Sequence, residues 1–214
     1  MKVLNLYAGI GGNRKLWDNV EVTAVEIKPK IAEIYQDFFP DDNVIIGDAH
    51  QYLLDHYKEY DFIWSSPPCP THSQLRKHAL VTRGIVDPMY PDMRLYQEII
   101  FLEHHFDGLY CVENVVGYYD PLIRPQLRGR HYFWSNFLIR DYVCEPGKIE
   151  EGTIDYWQEK TGFDLSKYTG VSRRTLLRNC VDSKLANIIL DCARGNTQLQ
   201  LTAYSKSKRM DVDG

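Results

Sequence analysis

No stretch of the 214-residue sequence stays apolar for the ~18–20 residues that a bilayer-spanning helix needs. The N-terminal run Met1-Lys2-Val3-Leu4-Asn5-Leu6-Tyr7 has neither the long apolar segment nor the cleavage site of a signal peptide, so none is expected. Cysteine is scarce. Five residues, an odd number at irregular spacing, argue against a disulfide framework and for a reducing cytoplasm. There is no G-x-x-x-x-G-K-[ST] run, which weighs against a phosphate-gripping ATPase, and no complete G-x-G-x-x-G dinucleotide fingerprint. Positive charge is also short: 25 Lys and Arg face 29 Asp and Glu, a net charge of −4. Taken alone, that deficit weighs against a nucleic-acid binder, which more often carries a basic excess. No internal repeat is present. With 44% hydrophobic and 25% charged residues, the composition argues against disorder and against a fibrous repeat. The length suits one compact domain, with room for a small appendage.

The first two-thirds alternate between strand and helix signals. Strands are expected at Val3–Tyr7, Glu21–Ile27, Val44–Ile46, Asp61–Trp64 and Leu109–Val112, with a later one at His131–Ile139. Helices are expected after the glycines at residues 9–12, at Ile31–Phe39, Ala49–Tyr57 and Met93–Phe106. This order predicts an α/β fold: a doubly wound, mostly parallel, Rossmann-like sheet with helices on both faces. From Asp141 to Tyr168 the pattern loosens into a polar stretch. Ser183–Ala193 returns as an amphipathic helix, and residues 205–214 are polar and expected to fray.

Chemistry-bearing residues fall at the ends of the expected strands. Tyr7-Ala8-Gly9-Ile10-Gly11-Gly12 follows the first strand; such glycines either let backbone approach a ligand closely or simply make a tight turn. Glu26 ends the second strand and Asp48 follows the third. Each alone reads as a solvated strand-end acid, but together with the glycine turn they outline a nucleoside-shaped crevice, with ribose hydroxyls on Glu26 and an adenine amine on Asp48. Past the fourth strand, Pro68-Cys69-Pro70 places a cysteine on a rigid loop beside the same crevice, a setting for a nucleophilic thiolate or for a buried structural cysteine. A tyrosine-phosphatase loop is excluded because the six residues between Cys69 and Arg76 are one too many. Zinc is not expected, because Cys69 and His72 lack a second ligand pair at metal-site spacing, and no metal is predicted. Glu113 and Asn114 end the fifth strand, where a carboxyl group can hold and donate a proton. Arg128 and Arg130 alternate, which predicts that both point to one face of a starting strand and form an arginine fork.

In this order the pieces resemble the DNA cytosine-5 methyltransferase family. Tyr7 to Gly12 looks like its S-adenosylmethionine loop, Pro68-Cys69-x-x-x-Ser73 like its Pro-Cys motif, and Glu113-Asn114-Val115 like its Glu-Asn-Val motif. Gln126-x-Arg128-x-Arg130 looks like its Gln-x-Arg-x-Arg motif, and Arg178-Asn179-Cys180-Val181 like its last motif, normally Gly-Asn-Ser-Val. The likeness covers residues 3–137 and, in weaker form, 177–194. About 40 residues stand where the family usually places a target-recognition domain, an arrangement similar to small virus-encoded and bacterial members. The expected division is therefore a catalytic domain at 1–140 and 177–195, a short insert at 141–176 and a tail at 196–214.

What the resemblance implies is methyl transfer from S-adenosylmethionine to C5 of cytosine in DNA, leaving S-adenosylhomocysteine, in the cytoplasm of a bacterial or virus-infected bacterial cell. Cys69 is the implied nucleophile at C6. Glu113 holds N3 and the exocyclic amine, Arg130 holds O2, and Arg128 supports the site. Tyr7, Ala8, Gly9, Gly11, Gly12, Glu26, Asp48, Pro68 and Asn179 are the implied cofactor residues. The base must leave the stack to react. Residues 62–86 contain no Asp or Glu, so the loop with Ser73, Arg76, Lys77 and Arg83 is expected to close over nucleic acid, with Gly84 as hinge. Arg173 and Arg174, with Arg178, are further candidate phosphate contacts. Cys111, Cys144, Cys180 and Cys192 are expected to be bystanders. RNA is the alternative substrate, and a non-catalytic relic of the fold is the alternative function. A partner chain or self-association could complete target recognition.

Overall fold

The computed structural model describes residues 1–74, 77–78, 87–143 and 152–195. The described residues form one seven-stranded sheet: β1 (Lys2–Leu6), β2 (Glu21–Glu26), β3 (Asn43–Ile46), β4 (Phe62–Ser65), β5 (Leu109–Val115), β6 (Gln126–Arg128) and β7 (His131–Ser135). Their order across the sheet is β3-β2-β1-β4-β5-β7-β6. The first five are parallel; β7 runs antiparallel to β5, and β6 antiparallel to β7. The order reverses between β1 and β4, and a crevice opens at such a reversal above the carboxyl ends of the strands.

Both faces of the sheet are apolar because both are covered. Phe62, Trp64, Cys111 and Phe133 point to one face, against Trp17 and the helix α6 (Ser183–Gly195). Ile63, Tyr110, Val112 and Trp134 point to the other, against α2 (Ala49–His56) and α3 (Arg94–His105). The helix α1 (Pro29–Phe38) joins β2 to β3. The doubly wound, mostly parallel α/β sheet expected from the sequence is therefore observed.

Local expectations needed correction in four places. No α-helix follows the glycine turn; a single 3-10 turn, Arg14–Leu16, stands there. The chain must turn at once to bury Trp17, whose indole N–H donates to the Ala186 carbonyl at 3.2 Å. β5 runs on through Val115 because β7 pairs with it beyond the point where β4 stops. β7 ends at Ser135 rather than Ile139, because the Asn136 side chain leaves the ladder to bond Gly108 O and Tyr110 N. Finally, Arg128 and Arg130 do not share a strand. Arg128 ends β6, while Gly129 (φ +60) and Arg130 make the two-residue turn into β7.

The stretch after residue 151 holds more order than its polarity suggests. Thr153 caps the helix α4 (Ile154–Thr161), and Gly162 ends it in the left-handed region at φ +67. Trp157, Phe163 and Leu165 are buried with Ile10, Ile34 and Leu177, the last on α5 (Arg173–Arg178). This segment thus packs on α1 and on the glycine turn.

Candidate active site

The glycine turn is fixed from three sides. Asn5 and Asn13, both buried, exchange amide hydrogen bonds at 2.7 and 3.3 Å and tie the end of the turn back to β1. Glu26 accepts from the backbone N–H groups of Gly9 (3.1 Å) and Lys28 (2.9 Å), so its carboxylate is held at the lip of the crevice. Gly12 lies so close to Cys180 that a Cβ added to it would stand 2.6 Å from the Cys180 Cβ. Only glycine permits that approach, and it brings the Arg178-Asn179-Cys180-Val181 segment against the turn. Gly9, at φ +56, has open space where a side chain would stand.

Tyr7 takes a left-handed φ of +55, uncommon for a residue with a side chain. Its hydroxyl donates to Glu98 Oε1 at 2.6 Å. The same carboxylate meets His50 Nδ1 at 2.9 Å and accepts from Ser65 Oγ at 2.5 Å. Glu98 is 1% exposed and joins the ends of β1 and β4 to α2. The hydroxyl of Tyr7 is raised far above its ordinary range by burial and by this carboxylate. Sequence reasoning missed Glu98. Its signal was an acid at i+3 on the apolar face Leu95, Ile99 and Leu102, a place where a carboxylate requires buried partners.

Asp48 is exposed and caps α2, accepting from the backbone N–H groups of His50 (2.9 Å) and Gln51 (3.3 Å) with one oxygen. Asn179 ends α5 and is exposed.

Pro67 is buried and Pro68 exposed, and Cys69 sits half-buried at the bend after them. Cys69 O accepts from the N–H groups of His72 (3.0 Å) and Ser73 (3.1 Å), which folds the loop back on itself. Asn114 clamps the loop to the sheet, its buried Nδ2 donating to Pro67 O at 2.9 Å. His72, 2% exposed, bonds Tyr119 Oη at 2.6 Å, and burial lowers its pKa. The neighbour of Asn114 on β5, Glu113, is 6% exposed. Burial and the Glu113 charge together push the Cys69 thiol above its ordinary pKa.

His131 adds a second unforeseen residue. Its Nε2 stands 3.6 Å from Glu113 Oε1, brought there because β7 lies beside β5. No local sequence signal marks it, since the contact depends on strand pairing.

The two arginines part company. Arg128 donates to the carbonyls of Arg140 (3.0 Å), Leu127 (2.8 Å) and Ile139 and pairs with Asp141, so its guanidinium is spent on the loop after β7. Arg130 is exposed, its own carbonyl accepting from Val116 N–H. Arg173 Nε donates to Tyr168 O, and Arg174 is exposed. Ser73 pairs with Gly117 in an isolated bridge, and Lys77 lies over the Tyr118 ring at 5.5 Å. Arg76, Arg83, Gly84 and Cys144 lie outside the described residues, as does most of the loop expected to close. Cys69, Cys111, Cys180 and Cys192 are free thiols. Burial pushes Cys180 up to about 12. Among the described residues no cluster of metal-ligating side chains occurs, and no helix is long and apolar enough to cross a membrane.

A family model described as C-5 cytosine-specific DNA methylase matches residues 1–116. Among curated proteins, the chain is similar to a tRNA (cytosine(38)-C(5))-methyltransferase of Spodoptera frugiperda, 26% identical over 151 residues. That match covers 64% of this chain but only 43% of the relative, so the chain spans less than half of its length. Among solved structures, Entamoeba histolytica methyltransferase EhMeth shares the fold with a TM-score of 0.55 at 11% identity, covering 92% of this chain and 99% of that one. A mutant DNMT2 of Spodoptera frugiperda aligns at 26% identity with a TM-score of 0.37, over 55% of this chain and 36% of that one.

Proposed function

Because the chain belongs to the C-5 cytosine-specific DNA methylase family, we propose that it transfers a methyl group from S-adenosylmethionine to C5 of cytosine in DNA. One observation carries this reading. The Pro68-Cys69 loop at the end of β4 is clamped by Asn114 of the neighbouring β5, and the adjacent residue of that strand is the buried carboxylate Glu113.

The residues present fit the cofactor. Gly9 leaves open space at the carboxyl end of β1, Glu26 is oriented by two backbone amides beside it, and Asp48 stands at the next strand end. S-adenosylmethionine, when bound, supplies an electrophilic methyl group. Everything else is the work of the chain. The Cys69 thiolate forms a bond to C6 of a cytosine lifted out of its stack. Electron density moves to C5, and Glu113, carrying a proton, hydrogen-bonds at N3 and relieves the negative charge that builds there. Arg130 at the mouth of the site holds the O2 carbonyl. After methylation at C5, loss of the C5 proton to water or a base re-forms the C5–C6 double bond and expels Cys69. Arg128 serves this site at one remove, by holding the chain after β7.

A second reading makes RNA the substrate. It is favoured by the curated relative, whose name assigns it to tRNA. DNA and RNA of one sequence, each containing 5-fluorocytosine, separate the two. Fluorine at C5 blocks the final elimination, so an active enzyme with cofactor present should stay bonded through Cys69. The expected result is an adduct, stable to denaturation, with DNA and none with Cys69→Ser. An adduct with RNA alone replaces the DNA reading with the RNA one. No adduct with either polymer overturns the proposed activity.

A further inference from the structure

One cavity is left unexplained by this reaction. It measures about 180 Å³ and lies between the β6–β7 turn, α4 and the chain running from α5 into α6. Four cations line it, Arg130, Lys160, Arg178 and Lys184, against one acid, Asp182. That acid is already engaged: Oδ1 accepts from the Lys184 and Leu185 N–H groups at 2.9 and 3.4 Å, and Oδ2 from the Tyr142 hydroxyl at 3.2 Å. The Arg178 Nε–H is buried and has no hydrogen-bond partner among the described residues. A buried donor in this state calls for an acceptor. The cavity also adjoins the reacting centre, because His131 stands on its wall and 3.6 Å from Glu113.

We propose that this cavity holds a backbone phosphate of the substrate strand beside the target cytosine. The inference rests on the reaction proposed above and adds a grip to it. An anion with several acceptor oxygens satisfies an arginine fork and lysine point charges together. Gly12 of the glycine turn also lines the cavity, but charge disfavours S-adenosylmethionine there, since its sulfonium and ammonium outweigh its single carboxylate and a cation-rich wall repels it. The site also explains how a chain of net charge −4 holds a polyanion: the attraction is local. Within the basic stretch 173–178 it singles out Arg178, because Arg173 is occupied by Tyr168 O.

The test uses the full chain loaded with S-adenosylhomocysteine, so that binding is read without turnover. Affinity for a cytosine-containing DNA duplex, and for RNA of the same sequence, is measured across a range of salt. Lys160 and Lys184 are exposed, so Lys160→Gln with Lys184→Gln removes two charges at the cost of the Lys160 contact over the Trp157 ring, 5.4 Å from its centroid, and a thermal melt checks that the fold is kept. Arg178→Gln is the second variant; if it does not fold, the lysine pair decides alone. In the variants, affinity should fall about tenfold or more at low salt. The slope of log affinity on log salt should shrink by about 0.9 per lost contact on duplex, or about 0.7 on single strands. Affinity for S-adenosylhomocysteine should stay as in the wild type. If the cofactor weakens instead, the cavity serves the cofactor and the inference is overturned. It is also overturned if the wild type binds and methylates but the variants keep its affinity and salt slope, with the reaction left standing. A wild type that binds neither polymer and methylates neither removes the reaction and the inference together.

Discussion

At the carboxyl ends of β1 to β5 the acids are held in place, whereas around the β6–β7 turn and the cavity beside it Arg128 is fixed and Arg130, Lys160 and Lys184 are exposed. Glu26 is tied to two backbone amides, Glu98 to three side chains, and Glu113 is buried with His131 Nε2 at 3.6 Å. On the other side Arg128 is locked onto carbonyls, while Arg130, Lys160 and Lys184 are exposed around a cavity. The difference teaches a division of labour. Bond-making groups need positions fixed to a fraction of an ångström, which a sheet supplies. Groups that meet a flexible polyanion work by charge and tolerate freedom.

The comparison predicts its largest effect at Glu113. Glu113→Gln removes the group that carries the proton, and methyl transfer should fall by about 10²–10⁴-fold. In the enzyme without substrate, where Glu113 acts on the thiol as a charge and has yet to take up the proton used on the base, the change also removes what raises Cys69, so the thiolate fraction at a fixed pH near 8 should rise and Cys69 should alkylate faster with iodoacetamide. Unfolding would also expose Cys69 and speed its alkylation, so the pairing of slower methylation with faster alkylation is read only with the thermal melt unchanged. If alkylation slows or stays level, Glu113 does not act on Cys69.

How much of this was legible follows the same division. The placement of Gly9, Glu26, Cys69 and Glu113 at or just past strand ends could be read, because a short apolar strand and the turn after it are adjacent in sequence. His131 could not be read, since its place beside Glu113 comes from antiparallel pairing across the sheet. The arginine alternation misled because Gly129 turns the chain between Arg128 and Arg130. The polarity of 152–165 concealed Trp157, Phe163 and Leu165, three buried residues too few for a periodic signal yet enough to seat the segment.

The two arginines sharpen the contrast next. Arg128→Gln should destabilise the fold by about 1.5–3 kcal/mol, the range for hydrogen bonds to a charged group, seen as a lower melting temperature. Arg130→Gln should leave the melt within about 0.5 kcal/mol, as expected of an exposed side chain. Its loss should appear in methyl transfer and nucleic-acid affinity. A stable Arg128→Gln enzyme that is catalytically dead would move Arg128 from support to catalysis and erase the distinction.

Gly12 is where the two regions touch. Gly12→Ala places a methyl 2.6 Å from the Cys180 Cβ, so one segment must move. Overpacking of this kind costs about 1–3 kcal/mol, and each kcal/mol lowers the melting temperature of a chain this size by about 2–4 °C. Adding Cys180→Gly removes the nearest atom but leaves the Cys180 Cα at 2.8 Å, so recovery should be partial. Independent, additive effects of the two changes would mean that the late segment does not seat on the glycine turn.

The smallest effect belongs to His50, at the edge of the fixed side. Its pKa is raised, chiefly by its hydrogen bond to Glu98. A histidine raised by a carboxylate stabilises the fold in its protonated form. That contribution is fully present below the unfolded value near 6.5, and it is lost as pH rises through the higher folded value. His50→Asn should therefore cost stability at pH 6 and little at pH 8.5, with the gap read from paired denaturant melts. The His50 side chain is about a third exposed, so solvent screens the pair and the gap should be modest. Glu98 keeps Tyr7 and Ser65 as donors when His50 loses its proton, which limits the loss further. A gap that widens with rising pH would mean that the protonated imidazole of His50 is not the stabilising form.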